Sequence, residues 1–233
     1  MRGCLVVMQP SFIPWAGYFN LLAQADDFVF LDDVQLEKQS WQTRNRIIEN
    51  GKARWISVPV KHLSLTQKIN ETEISNFNFW FIKFERSFIY TYKTHPHYEA
   101  AQEIIDFIGN YGNKGLAQLN QKLILHVSKQ LNLTPRFHFA SELNQDGVRS
   151  DRLANFCKRF EAEVYLSPVG SMEYLSEDRF NEKTTTNLQF QTYQVMSYPQ
   201  KGTQEFISHL SILDVVANLG WVGARKYVID GVL

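Results

Sequence analysis

The stretch VVMQPSFIPWAGYFNLLAQADDFVFLDDVQ, residues 6–35, decides the fold of this chain. It holds the second half of one apolar run, Gly3–Met8, and all of a second, Phe28–Leu31. Proline at position 10 ends the first run, because proline has no backbone N–H to give to a sheet. Residues 15–25 carry apolar side chains at helical spacing. This order predicts a strand, a crossover helix and a second strand parallel to the first.

The same alternation returns in the second half of the chain. Further strands are predicted at 135–140, 163–167 and 188–193, with helices at 151–160 and 211–219. The strands of a parallel sheet are covered by helices on both faces, which explains their continuous apolar runs. We therefore predict an α/β fold with a Rossmann-like, mainly parallel sheet of five strands.

Residues 34–130 interrupt the alternation. An Asn-Gly pair at positions 50 and 51 separates two strand-like runs, which is a strong short-range signal for a hairpin. Three helix-like segments follow, at Asn78–Lys93, His97–Ile108 and Gly115–Leu131. We predict one domain, residues 1–233, with a β-hairpin and a helical subdomain inserted at about 34–130. Insertions at strand ends often form the wall of a site.

The composition limits the kinds of partner. The 233 residues include 24 basic and 24 acidic side chains, so no net charge attracts nucleic acid or an anionic membrane. No apolar run approaches the roughly 20 residues of a membrane span, so no membrane insertion is expected. The two cysteines, Cys4 and Cys157, lie among apolar residues, as reduced and buried thiols usually do. This pattern favours the cytoplasm.

Polar residues follow the first two predicted strands. Ligands of open α/β sheets bind at the carboxyl ends of the strands, so we expect Gln9, Asp32, Asp33 and Gln35 to face one crevice. Asp32 or Asp33 would be the catalytic group, orienting or deprotonating an amine or hydroxyl of a substrate. The alternative is that both aspartates cap the segment that follows them.

The segment KQSWQTRNR, residues 38–46, adds cations, an amide and an aromatic ring. Guanidinium groups suit phosphate, and an indole ring suits a sugar or base. The predicted substrate-binding residues here are Lys38, Trp41, Arg44, Asn45 and Arg46. The alternative is a solvated face of the hairpin.

Two turns complete the predicted substrate-binding set. Trp15, Gly17 and Tyr18 begin the first helix, where glycine costs about 1 kcal/mol against alanine and is often kept for close approach of a ligand. Helix N-termini also offer N–H groups to anions. Ser167, in YLSPVGS, would form a polar shelf with Ser171. The alternative for the first turn is that its aromatic residues only fill the core. The alternative for YLSPVGS is a plain strand-to-loop turn.

Other chemistry has weaker signals. The pair His95 and His97 lacks further ligands at zinc spacing, and the chain has neither a phosphate loop nor a dinucleotide fingerprint. We therefore predict no metal and no cofactor. Cys157 lies on the apolar side of its predicted helix, which favours a core residue over a nucleophile.

The segments MQPSFIPWAGYF, ADDFVFLDDVQ and SWQTRNRI resemble the signature of the WbqC-like protein family. The resemblance continues through WISVPVK, YLSPVGSMEYL and LSILDVVANLGW, and so covers nearly the full chain. Members resemble proteins encoded with bacterial O-antigen, other surface-polysaccharide and natural-product genes. The resemblance implies an enzyme that modifies an amino sugar or nucleotide-activated sugar, by acyl or aminoacyl transfer. The implied partners are a phosphate-containing small molecule and, as a candidate, an acyl-carrier protein.

Two other functions remain open. One is a noncatalytic module that delivers a carrier protein or scaffolds partner enzymes. The other is nucleotidylyl transfer, since Trp15-Ala16-Gly17-Tyr18 has the spacing of the His-x-Gly-His turn in nucleotidylyltransferases of the HIGH type. The glycine is present and both histidines are replaced, which puts the usual adenylyl transfer in doubt.

Overall fold

Five parallel strands form the central sheet. The computed structural model describes residues 3–62, 64–112 and 115–230. The strands of the chain are β1 (Cys4–Met8), β2 (Asp27–Phe30), β3 (Arg44–Glu49), β4 (Lys52–Ser57), β5 (Arg136–Phe139), β6 (Val164–Ser167) and β7 (Asn187–Phe190). The sheet has the order β5-β2-β1-β6-β7, and each neighbouring pair in it is parallel. This arrangement confirms the predicted α/β fold.

Helices cover both faces of this sheet. They are α1 (Ala16–Gln24), α2 (Phe77–Tyr92), α3 (Tyr98–Tyr111), α4 (Leu116–Gln130), α5 (Ala140–Leu143), α6 (Arg149–Arg159), α7 (Met172–Glu177), α8 (Phe180–Lys183) and α9 (Ile212–Asp230). The predicted longer helices are confirmed within a few residues, except that the last one continues beyond its predicted end. The short helices α5, α7 and α8 were not predicted, because segments of four to six residues are too short to show helical periodicity.

The alternation of side chains along each strand divides the core into two layers. Val6 and Phe28 are register partners and pack on the side of α1 and α9, whereas the next pair, Val7 and Val29, packs on the side of α6. All four side chains are buried. Burial on both faces is the physical reason that the strands appear in sequence as unbroken apolar runs.

The insertion between β2 and β5 shares the core of the sheet. The strands β3 and β4 pair antiparallel around Asn50 and Gly51, whose φ angles of 50° and 74° suit a tight hairpin turn. Ile47 of the hairpin and Phe84 of α2 belong to the same hydrophobic cluster as Phe19 of α1. The hairpin and α2–α4 therefore pack on the side of the central sheet that carries α1 and α9.

The last helix runs further than the predicted 211–219. It continues to Asp230 but breaks at Gly220, where φ is 64° and ψ is 178°. A Cβ at this position would lie 2.9 Å from Nδ1 of His97. Glycine is needed here both for the positive φ and for the close approach of the imidazole.

In the described parts of the chain, no helix is both long enough and apolar enough to cross a membrane. The two cysteines are free and buried. Burial raises the pKa of Cys4 and of Cys157 to about 11. Both sulfurs are therefore protonated near neutral pH, and neither is activated as a nucleophile.

Candidate functional site

A crevice of about 800 Å³ opens where the strand order of the sheet reverses. The strand β1 has β2 on one side and β6 on the other, and the crevice lies beyond the carboxyl ends of β1 and β6. Open α/β sheets bind ligands at this switch point, and the volume suits a small molecule. A groove of about 850 Å³ between the hairpin turn and residues 202–207 is remote from these strand ends.

Two serine hydroxyls form the floor of the crevice. Ser167 is the last residue of β6, and its Oγ lies 2.6 Å from Oγ of Ser171. Ser171 donates its hydroxyl proton to the carbonyl of Pro168 at 2.7 Å, so Ser167 is the donor between the two serines. A Cβ at Gly170 would meet no atom within 4 Å, so this turn leaves open space above the serines.

One wall of the crevice is fixed by an ion pair. Arg152, on α6, donates to both carboxylate oxygens of Asp33 at 2.8 and 2.6 Å, and its Nε donates to the carbonyl of Gln145 at 3.0 Å. The two side chains are 13% and 19% exposed. Arg152 lines the crevice and Asp33 lies behind it. This places the predicted catalytic Asp33 in contact with the wall rather than in open solvent.

Arg149 lines the same wall with a more accessible guanidinium. Its side chain is 61% exposed, and its Nε donates to Asp178 at 3.0 Å. Hydrogen bonds from Ser150 and Arg149 outweigh the effect of burial and lower the pKa of Asp178. Within the described residues, the terminal nitrogens of Arg149 have no hydrogen-bond partner. They are the free cationic donors of the crevice.

The backbone of Arg149 has an unusual conformation. Its φ is 50°, in the left-handed region that favours glycine, at the first position of α6. Such a conformation costs about 1–3 kcal/mol and tends to occur at functional sites. Tyr174 lies beside it, with its ring centroid 5.9 Å from the guanidinium carbon. Burial, and then the nearby charge of Asp178, raise the pKa of Tyr174, so its hydroxyl is protonated near neutral pH.

Gln9 and Trp41 also line the crevice. The side-chain oxygen of Gln9 accepts a hydrogen bond of 2.7 Å from Gln42, and its carbonyl accepts one of 3.1 Å from Tyr18. Trp41 is exposed, and its ring centroid lies 5.2 Å from that of Trp55. Together with Ser167, these are the predicted residues that the structure brings to one crevice.

The carboxylate of Asp32 forms hydrogen bonds within the protein. It is 4% exposed and accepts hydrogen bonds from Gln121 at 3.0 Å and from the backbone N–H and hydroxyl of Ser141 at 2.9 and 2.8 Å. These contacts join the end of β2 to α4 and to the start of α5. Asp32 does not line the crevice, and its role as a catalytic acid or base stays a prediction.

The aromatic turn packs against itself. A Cβ at Gly17 would lie 2.2 Å from the ring of Trp15, so glycine lets the indole fold over α1. Tyr18 is buried, with its hydroxyl on the Gln9 carbonyl. Asn45 is 1% exposed and donates to the carbonyls of Phe12 and Ile13 at 3.1 and 2.8 Å. These contacts stabilise the turn that carries Gln9, and they involve four of the predicted residues: Trp15, Gly17, Tyr18 and Asn45.

The remaining predicted residues lie outside the crevice. Arg46 donates to the carbonyls of Ser208 and His209, and Arg44 stacks on Trp55 at 4.2 Å. Gln35 is exposed and donates to the carbonyl of Leu65, and Lys38 is exposed in the same loop. Their role in substrate binding stays a prediction.

Sequence reasoning did not identify Arg149, Arg152 or Tyr174. The sequence feature that could have identified the two arginines is their position in the first turn of a helix that follows a predicted strand. Only the strand order shows that this helix borders the switch point. Among the described residues, no group of three His, Cys, Asp or Glu side chains is placed to hold a metal ion.

Comparisons with known proteins agree with the signature segments. The chain is 30% identical over 218 residues to the uncharacterized protein Rv1507c of Mycobacterium tuberculosis (strain ATCC 25618 / H37Rv), which covers 93% of this chain and 94% of that protein. No solved structure matches the chain significantly. The model of the WbqC-like protein family matches residues 9–226. The chain therefore belongs to the WbqC-like protein family.

Proposed function

We propose that the protein is a transferase of bacterial surface-polysaccharide or natural-product biosynthesis. In this proposal, the crevice at the switch point binds an amino sugar or nucleotide-activated sugar. The observation that carries the proposal is the pairing of free guanidinium donors on Arg149 with the buried hydroxyls of Ser167 and Ser171 in one crevice at the strand ends. The family resemblance supplies the biosynthetic context.

Each group has a distinct part in binding. Arg149 donates to a phosphate of the substrate, because a guanidinium fork matches two phosphate oxygens. The serine hydroxyls exchange hydrogen bonds with sugar hydroxyls. Trp41 and Tyr174 offer ring faces to the apolar side of a sugar. Arg152 gives three of its five N–H donors to Asp33 and Gln145, and it holds the shape of the wall.

The proposed reaction is acyl or aminoacyl transfer to the amino group of the sugar. The amine nitrogen attacks the acyl carbon, the new C–N bond forms as the bond to the donor's leaving group breaks, and the amine gives up a proton. A carboxylate suits that proton transfer. Asp32 and Asp33 are the predicted groups, and Glu37 is the carboxylate on the crevice lining itself. An acyl-carrier thioester is the proposed donor.

Binding is tested by calorimetry with UDP-linked and TDP-linked amino sugars. We expect saturable binding that Arg149→Gln weakens about tenfold, since a charge-assisted hydrogen bond is lost. Arg54→Gln is the matched control, because Arg54 is similarly exposed and pairs with Glu49 on the hairpin. Absence of binding by every amino-sugar nucleotide would reject the proposal.

Catalysis is tested by turnover with acyl-carrier thioesters and the same sugars. Asp32→Asn, Asp33→Asn and Glu37→Gln are compared at saturating sugar. A loss of kcat confined to one variant, with an unchanged KM for the sugar and an unchanged melting temperature, identifies the proton acceptor. Unchanged kcat in all three would remove the acid–base assignment and leave binding intact.

A specific observation also favours a noncatalytic carrier-protein or scaffold module. On α2, the side chains of Phe79, Ile82 and Tyr90 share one face and are 65%, 47% and 68% exposed. This second candidate predicts that an acyl-carrier protein binds without turnover. Replacing Phe79 and Tyr90 together by serine should then abolish binding of the carrier, whereas Val222→Ser, at an even more exposed apolar position on α9, should not.

A further inference from the structure

One side of the β3–β4 hairpin presents two arginines and a tryptophan. Arg44 and Arg46 alternate with buried Asn45 and Ile47, and Arg46 is the cross-strand partner of Trp55. We define the hairpin face as Arg44, Arg46 and Trp55 together with Trp41, whose ring packs against Trp55. These four residues come from the segment that follows the sheet's second strand and from the inserted hairpin.

The two indole rings of the hairpin face are open to solvent. Trp41 is 46% exposed and Trp55 is 43% exposed. Their centroids lie 5.2 Å apart, with the ring planes inclined by 47°. Tryptophan side chains bury a large area when they serve only packing. Two adjacent rings that remain this accessible form a surface suited to stacking.

The arginines of this face lack partners for part of their guanidinium groups. The guanidinium carbon of Arg44 lies 4.2 Å from the Trp55 centroid, and that of Arg46 lies 5.8 Å from it. Within the described residues, Nε of both arginines is buried without a hydrogen-bond partner, and neither arginine has a carboxylate at ion-pair distance. Arg46 is tethered to the Ser208 and His209 carbonyls, so Arg44 is the cation with free donors.

The hairpin face is continuous with the crevice. Trp41 both lines the crevice and contacts Trp55, and the guanidinium of Arg44 lies over the Trp55 ring. A sugar bound at Ser167 and Arg149 that carries an anionic group and a flat ring would place both on this face. Nucleotide-activated sugars have this composition.

We infer that the hairpin face is a nucleoside-diphosphate subsite, in which Arg44 donates to the phosphates and the base stacks on Trp41 and Trp55. The inference rests on the proposed function for the order in which sugar and nucleotide lie along the protein. A planar guanidinium stacked on an indole is held ready for bidentate contact with phosphate. Stacking on indole tolerates any base, since every base has a π face.

The test uses free nucleotides without sugar. UDP, GDP, ADP and inorganic pyrophosphate are titrated by calorimetry and by quenching of tryptophan fluorescence. We expect the three nucleoside diphosphates to bind and to quench fluorescence, and Arg44→Gln to weaken binding about tenfold. Trp41→Leu should weaken it about fivefold or more. The control Arg54→Gln, on the opposite side of the hairpin, should bind as the parent protein does.

Three results would overturn the inference. They are nucleotide binding that is insensitive to Arg44→Gln and to Trp41→Leu, pyrophosphate binding as tight as UDP binding, and quenching by an acidic carrier protein but by no nucleotide. Thermal melting of each variant checks folding, and Arg44→Lys, which keeps the charge but loses the fork, should show an intermediate affinity.

Failure of this inference is distinguishable from failure of the proposed function. Glucosamine 1-phosphate probes the crevice and should respond to Arg149→Gln but not to Arg44→Gln. UDP probes the hairpin face and should lose affinity with Arg44→Gln and Trp41→Leu, whatever its response to Arg149→Gln, because its β-phosphate is the one that glucosamine 1-phosphate also carries. Loss of only the first response rejects the sugar site, and loss of only the second rejects the nucleotide subsite.

Discussion

The guanidinium of Arg152 donates to both carboxylate oxygens of Asp33, through two hydrogen bonds of 2.8 and 2.6 Å. Arg152 belongs to α6 and Asp33 follows β2, so the pair joins elements 119 positions apart in sequence. It holds α6 against the strand ends and thereby sets the wall on which Arg149 also lies. The pair links the stability of the fold to the shape of the candidate site.

Breaking this pair should destabilise the protein. Asp33→Asn leaves a largely buried guanidinium without its anion, and we expect the free energy of unfolding to fall by about 1–3 kcal/mol. Urea denaturation measures the change. Glu182→Gln, at the exposed pair with Arg179, should change it by less than about 0.5 kcal/mol. Equal effects of the two variants would contradict the structural role of the Asp33 contact.

The turn at Gly17 offers a test of close packing. A Cβ there would lie 2.2 Å from the Trp15 ring, so Gly17→Ala must displace the indole. We expect a loss of about 1–3 kcal/mol in the free energy of unfolding, despite the better helix propensity of alanine. In a Trp15→Leu background the same change should cost less, because the obstructing ring is gone. A penalty that is unchanged in that background would show that the indole is not the cause.

The buried carboxylate of Asp214 should make stability depend on pH. Burial raises the pKa of Asp214 above its usual 3.8, although Tyr198, Tyr92 and Gln200 donate to it at 2.6, 2.9 and 3.1 Å. The unfolded chain therefore loses this proton at lower pH than the folded chain does. The contribution of Asp214 to stability falls as pH rises from near 3.8 through the folded pKa.

The measurement compares the parent protein with Asp214→Asn by denaturation between pH 4 and 7. The difference in unfolding free energy, parent minus variant, should decrease with rising pH, since asparagine does not titrate. A difference that increases with pH for Asp214→Asn would contradict the raised pKa.

The break in α9 should not tolerate a side chain. Gly220→Ala forces a Cβ into a conformation with φ of 64° and within 2.9 Å of the His97 ring. We expect it to lower the free energy of unfolding by about 1–3 kcal/mol. Gly170→Ala is the matched control, because a Cβ there meets no atom within 4 Å. Thermal melting of both variants should separate them clearly, and similar melting temperatures would contradict the account of the break.

Most of the secondary structure was predictable because a buried strand or helix shows as a local pattern of apolar residues. The run Gly3–Met8 became β1, and the helical spacing over 15–25 became α1, within one or two residues. The site was less predictable. The crevice is lined by three of the predicted residues, Gln9, Trp41 and Ser167. Asp32 and Asn45 instead form hydrogen bonds with distant elements of the chain. Residue type alone does not show which neighbours will satisfy a polar group.

The sequence by itself determined the parallel sheet, the inserted hairpin and the family, because apolar periodicity and signature segments are local properties of the chain. Only the tertiary structure decided where the crevice lies. Strand order places β6 beside β1, and α6 then brings Arg149 and Arg152 to the end of β1, which is more than 100 positions away in sequence. That choice depends on which strands pair and which helices pack across them, and these contacts form only when the whole chain is folded.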